Sequence, residues 1–224
     1  MAKPNAKAAP KDAVLVTGFE PFDGEKTNPS WEICERLPRE IAGMRVHTCL
    51  VPCEFRRAIE VAAGAVERTH PLLVISLGQA GGRARLGIER VAINVDDARI
   101  PDNTGHQPVD ELVAANGPPA YFATIPVKAM AAAVRAAGVP AEVSNTAGTF
   151  VCNNVFYALM DMAARQAPQM RAGFLHIPYA AEQAARLGAV PSMSLDDIVR
   201  GIEIVVSVSA ARTNDLHVAE GAIS

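Results

Sequence analysis

Apolar residues along this chain alternate between two spacings. Residues 14–17, 45–51, 72–77, 141–144 and 172–176 are short runs, mostly apolar and β-branched, and they predict strands. Between them apolar residues recur every three or four positions. Ile59, Ala62, Ala63 and Val66 predict a helix from about Glu54, and Val127, Met130, Ala131 and Val134 predict another. Cys152, Val155, Phe156, Leu159 and Met160 predict a third, and Ile198, Ile202, Val205 and Val206 a last one. Ser30 reads as the cap of a short helix from Trp31 to about Leu37, and Ser194, with Asp197 three residues on, as the cap of the last helix. Residues 90–94 and 121–124 read as shorter β segments, and residues 101–119 as irregular and polar. The run 72–77 is apolar almost throughout, as expected of a strand covered on both faces. Alternating strands and helices imply an α/β fold: a single domain with a twisted, mostly parallel central sheet and helices on both faces. Such sheets bind ligands beyond the carboxyl ends of their strands. That rule selects the loops 18–24, 78–82, 145–150 and 176–179.

Composition narrows the function classes. The 224 residues suit one domain, read as a mobile leader over 1–12, an α/β domain over 13–212 and a tail over 213–224. Half of the residues are hydrophobic, and the net charge is −3 with no basic run, which argues against nucleic acid as a partner. No apolar run reaches membrane-spanning length, and the first residues lack the apolar core of a signal peptide. Cys34, Cys49, Cys53 and Cys152 are too few and too scattered for a disulfide framework, so a reducing, cytoplasmic setting is expected. Cys49 and Cys53 have no second pair at ligand spacing, so neither a metal nor another cofactor is expected.

The candidate chemistry starts at Cys152, in the first turn of its predicted helix. Unpaired N–H groups and the positive end of the helix dipole favour a thiolate there, and the same N–H groups suit an oxyanion. The competing reading is a small buried hydrophobe. A nucleophilic thiol needs a base, and of the five histidines only His176 stands at the carboxyl end of a predicted strand, where a purely structural histidine would fit as well. The segment G-Q-A-G-G-R (residues 78–83) lacks both dinucleotide and P-loop spacing; its glycines let backbone approach a ligand. On residue type alone Glu89 and Arg90 read as solvated surface, and Asp96, Asp97 and Arg99 as a charged knot held by an ion pair.

Taken together, these motifs resemble a known family. G-F-E-P-F-D-G followed by N-P-S-W (18–24 and 28–31), G-Q-A-G-G-R, E-R-V-A-I-N-V-D-D-A-R-I-P-D-N (89–103), V-S-N-T-A-G-T-F-V-C-N (143–153) and H-I-P-Y (176–179) resemble the type I pyroglutamyl peptidases, in order, over about residues 13–210. The resemblance implies a cysteine exopeptidase that removes N-terminal pyroglutamate through a thioester. It implies Cys152 as nucleophile, His176 as base and later acid, Glu89 as the group orienting the imidazole, and Arg99 in the oxyanion region. Two departures are visible: Gly87 stands where the family has Ser or Thr, and Asp23 where members often have Gly. The implied substrate is a flat, uncharged lactam, for which Phe19, Phe22, Phe150 and Val151 would supply apolar walls. Asn28, through its side chain, and Gln79, through its backbone, would meet the lactam's polar edge. A homotetramer is expected by the same analogy. The alternatives are a non-catalytic small-molecule-binding module on the same scaffold and a nucleosidase-like hydrolase.

Overall fold

The computed structural model describes residues 12–221. Apart from Asp12, the leader expected over 1–12 lies outside the described residues, as does the end of the expected tail. Seven strands make one sheet: β1 (Ala13–Phe19), β2 (Glu40–Ile41), β3 (Met44–Val51), β4 (Leu73–Gln79), β5 (Leu86–Glu89), β8 (Ala141–Ser144) and β9 (Arg171–Ile177). Their order is β2-β3-β1-β4-β9-β5-β8. The sheet is mostly parallel; the exceptions are β2 on β3 at the edge and β5 on β9 inside it. Two small ribbons lie outside this sheet, β6 (Val91–Ile93) with β7 (Ala120–Phe122) and β10 (Tyr179–Ala180) with β11 (Ser192–Met193).

Period-two alternation divides the core. Val14 and Val16 of β1, Leu73, Ile75 and Leu77 of β4 and Leu175 and Ile177 of β9 face one apolar cluster. That cluster is closed by α1 (Pro29–Arg36), α3 (Val127–Ala136) and α6 (Leu195–Ala211). Leu15, Val74, Ala172 and Phe174 face the other cluster, closed by α2 (Phe55–Thr69) and α4 (Val151–Arg165). A short helix, α5 (Ala181–Leu187), links the second ribbon. Burying apolar side chains on both faces is what the near-continuous apolar strands require. At the end of the chain, Asp215 accepts from the N–H groups of Lys128 and Ala129 at the start of α3, and Glu220 pairs with Arg135.

Three expectations need correction. Asn28, not Ser30, caps α1: its Oδ1 accepts from Ser30 N, while the Ser30 hydroxyl accepts from Phe19 N. β5 was not foreseen, because L-G-I-E is four residues long and contains a glycine, too little for a periodic signal. Pairing on both sides, antiparallel with β9 and parallel with β8, holds it in place. The third is the charged knot. Asp96 is buried whereas Asp97 and Arg99 are exposed, and no ion pair joins Arg99 to either aspartate among the described residues.

Candidate active site

The helix α4 begins at Val151, so Cys152 occupies its first turn, and no side chain caps that end. Val155, Phe156, Leu159 and Met160 draw the helix into the cluster shared with α2. Asn153, next to the cysteine, is fully buried; its carboxamide accepts from Ile93 N and donates to the carbonyls of Ile93 and Val95. This side chain stitches the helix start to β6. The thiol rests on the end of β4. A Cβ built on Gly78 would lie 2.7 Å from the Cys152 sulfur and 2.7 Å from the Phe174 ring, so only glycine leaves room there. Gly78 is the register partner of His176, which sets the thiol beside the strand position that carries the imidazole.

His176 and Glu89 meet through strand pairing. Ala172, Phe174 and His176 alternate to one side of β9, the side that faces α4. On β5, Leu86 and Ile88 turn to the opposite cluster, which leaves Gly87 and Glu89 on the face of His176. Gly87 pairs with His176 and Glu89 with Phe174, so the acid and the imidazole are diagonal neighbours on one face. His176 Nδ1 lies 2.8 Å from Glu89 Oε1. Glu89 is fully buried and His176 is 5% exposed. Arg83 reaches the same carboxylate oxygen at 2.8 Å.

The electrostatics amend the view taken from the helix start. The thiol of Cys152 is held above its ordinary value, chiefly by burial; Cys53 and Glu89 push the same way, while Arg83 and the cysteine's own backbone N–H oppose them. The helix-start effect has the expected sign, but burial outweighs it. Asp96 is pushed up to about 6, mainly by burial; Asn154 Nδ2 donates to its Oδ2, and its Oδ1 has no partner among the described residues. Asp102 behaves oppositely. Burial raises it, but the Thr104 hydroxyl and the N–H groups of Phe55, Thr104 and His106 hold it below the usual carboxylate range. By accepting from Phe55 N it caps α2 across space, since Glu54 makes no side-chain cap.

The loops selected from the sequence meet at this end of the sheet. The rings of Phe22 and Phe150 lie 6.1 Å apart at 43°, and Phe55 stands edge-on to Phe150 at 5.3 Å. Both Phe22 and Phe150 are half-buried, while Val151 is buried. Phe19 is the last residue of β1 and 2% exposed; its ring packs on Phe174 at 6.4 Å, within the core. Asn28 is not available as expected. Its carboxamide is committed to Glu20 O, Ser30 N and the Ser30 hydroxyl, and the residue is buried. Gln79 ends β4, with its side-chain oxygen held by Gln183. Arg99 is exposed, in a segment tied to the loop before α4 by Asp97 N to Thr149 O and by the Thr149 hydroxyl to Asp97 O.

Three contributors escaped the sequence reading. Phe174 lies beneath the site, and its i, i+2 relation to His176 was the available signal. Gln183 bridges Gln79, Glu25 and Thr27 from inside α5, an element with no strong periodicity. Arg83 was visible in G-Q-A-G-G-R, but nothing in the sequence pointed it at Glu89.

A thiol at a helix start beside a buried imidazole–carboxylate pair is an arrangement for acyl transfer, and comparisons with known proteins agree with it. The sequence model of a family described as pyroglutamyl peptidase matches residues 12–212. The pyrrolidone-carboxylate peptidase of Erwinia tasmaniensis is 52% identical over 210 residues, covering 93% of this chain and 98% of that protein. That of Yersinia pestis is 47% identical over 211 residues, covering 94% and 98%. The crystal structure of pyroglutamyl peptidase I from Bacillus amyloliquefaciens superposes with a TM-score of 0.89 at 45% identity, covering 92% of this chain and all of that one. The pyrrolidone carboxyl peptidase of Thermococcus litoralis gives 0.88 at 36% identity, covering 93% and 99%. A match that runs through both strands and the helix carrying the site leaves one conclusion: this chain belongs to the pyroglutamyl peptidase family.

Proposed function

We propose that this chain removes N-terminal pyroglutamate from peptides as a cysteine exopeptidase, with Cys152 as nucleophile, His176 as base and then acid, and Glu89 as the group that orients the ring. The observation that carries this reading is the buried 2.8 Å contact between His176 Nδ1 and Glu89 Oε1 beside the helix start that holds Cys152. With Nδ1–H given to Glu89, the other ring nitrogen is left to accept the thiol proton. His176 takes the thiol proton as sulfur attacks. Sulfur bonds to the pyroglutamyl carbonyl carbon, and the backbone N–H groups at the start of α4 and Arg99 face the oxyanion. The C–N bond breaks as His176 returns its proton to the leaving amine. Water, deprotonated by the same ring, then hydrolyses the thioester.

The lactam lies against Phe22 and Phe150, with the buried Phe19 and Val151 as backing and the backbone of Gln79 at its polar edge. The closely spaced, half-buried pair of Phe22 and Phe150 supports this placement. Residues 13–212 form the peptidase domain in this reading. No helix among the described residues is long and apolar enough to cross a membrane, and the cytoplasmic setting stays an expectation from the sequence. The homotetramer is carried as an expectation from the resemblance, for sedimentation to check. No observation favours the binding-module or nucleosidase readings. Turnover of a pyroglutamyl chromogenic amide tests the proposal. It should vanish when thiols are alkylated and be protected by a lactam ligand; turnover that survives alkylation of Cys152 overturns it.

A further inference from the structure

Arg83 has no step in the chemistry above, yet it binds Glu89, the end of β8 and the loop that leads to Cys152. Its Nη1 donates to Glu89 Oε1 at 2.8 Å, the oxygen that also meets His176 Nδ1. The same nitrogen lies 3.4 Å from the Ser144 hydroxyl at the end of β8, and Nη2 donates to Thr146 O at 3.2 Å in the loop that leads to Cys152. Glu89 is fully buried, and its Oε2 has no partner among the described residues. While His176 is neutral, the imidazole gives this carboxylate a hydrogen bond but no counter-charge. A buried charge so placed is costly. The guanidinium supplies a permanent counter-charge whatever the state of the ring.

Room for that guanidinium comes from Gly87. A Cβ there would stand 2.4 Å from Arg83 Nη1 and 3.5 Å from Glu89 Oε1. The colliding atom is the free end of a flexible side chain. A substituent would therefore displace Arg83 from Glu89 and leave the backbone undisturbed. The departure noted in the sequence, glycine where the resemblance expects Ser or Thr, coincides with the space the arginine fills.

We infer that Arg83 is a positioning residue that holds Glu89 charged and fixed for His176, and that Gly87 admits it, so the two positions act as one unit. The inference rests on the peptidase reading for its substrate assay, so a second readout needs no substrate: the alkylation rate of Cys152 by iodoacetamide. Arg83→Met and Gly87→Ala should each lower kcat about 10- to 100-fold with KM within about twofold, and each should slow alkylation. The double variant should be no worse than the poorer single one, because both changes remove the same contact. Arg83→Lys should recover part of the loss. Gly87→Ala keeps the guanidinium in the protein and should lose less thermal stability than Arg83→Met, so if Arg83→Met fails to fold, Gly87→Ala decides alone. Unchanged kcat and alkylation in Gly87→Ala, losses that multiply in the double variant, or a loss carried by KM would overturn the inference. An inactive wild type would refute the peptidase reading instead, and the alkylation rates would still judge Arg83.

Discussion

The two sides of the site are built by different means. The cysteine side is local: a turn, a helix start and an apolar face that draws α4 onto the sheet. The glutamate side is assembled from afar. Glu89 stands on a four-residue strand whose position depends on β9 and β8, which lie 50 or more residues further along the chain. Local order places an atom at a helix end cheaply. Long-range pairing is needed to aim one side chain at another across a sheet, because the register fixes which residues become diagonal neighbours. The place of Cys152 thus follows from the helix that begins beside it, and that of Glu89 from the completed sheet.

Deleting either group proposed to react should break the cysteine side outright. Cys152→Ser and His176→Ala should fold as wild type and lose about a thousandfold or more in kcat/KM on a pyroglutamyl amide. Retention of more than about a tenth of the rate in either variant would mean that the thiol or the ring is not in the reaction.

Glu89→Gln probes the other side and should cost less than His176→Ala, on the order of a hundredfold in kcat. The amide oxygen still accepts from Nδ1, but the charge that steadies the imidazolium is gone. Equal losses in the two variants would show that the acid does more than orient.

Substrate contacts should give a smaller effect of another kind. Phe22→Ala and Phe150→Ala should remove roughly 1–3 kcal/mol of apolar contact and raise KM more than they lower kcat. Wild type should turn over a glutaminyl amide at least about a thousandfold more slowly, because its ammonium finds no counter-charge between the two rings. Comparable rates on the two amides would remove the lactam pocket.

The smallest effect tests the support beneath the cysteine side. The fold raises Asp96 to about 6 by burial, so the native state binds this proton more tightly than the unfolded chain. The sign follows: stability is greatest below the ordinary aspartate value, declines as pH rises from about 4 to about 6, and the full cost remains above that. Asp96→Asn removes the charge, and its amide can donate to Asn154 Oδ1, which lacks a partner among the described residues. The variant should exceed wild type in stability by on the order of 2 kcal/mol at pH 7 and by little at pH 4. A gap that does not grow with pH, by denaturant unfolding, would mean that the buried Asp96 carboxylate does not cost the fold stability.

Read from the chain alone, most of the architecture was legible. Strands β1, β3, β4, β8 and β9 and helices α2, α3, α4 and α6 carry their own periodicity, because each buries one or both faces in a continuous core. Position in the chain offered Cys152 and His176 as candidates beside a structural reading of each, and the motif resemblance joined Glu89 to them. Periodicity placed Cys152 at a helix start, where an uncapped terminus is a local property. It could not place Glu89, which read as solvated surface on residue type and is fully buried in the fold. Nor did composition foresee that burial would raise the Cys152 thiol against the helix dipole, since desolvation depends on what other segments cover. Asn28 shows the same limit: the substrate implied by the resemblance suggested a ligand contact, and the tertiary structure uses the side chain to cap α1 and hold the loop. The sequence by itself determined the alternation of elements, the helix that presents the thiol and the family. Only the tertiary structure decided the partners of Glu89, through one antiparallel pairing that puts Gly87 opposite His176. Periodicity encodes which face is buried, while register encodes who meets across it, and register is a property of two strands at once.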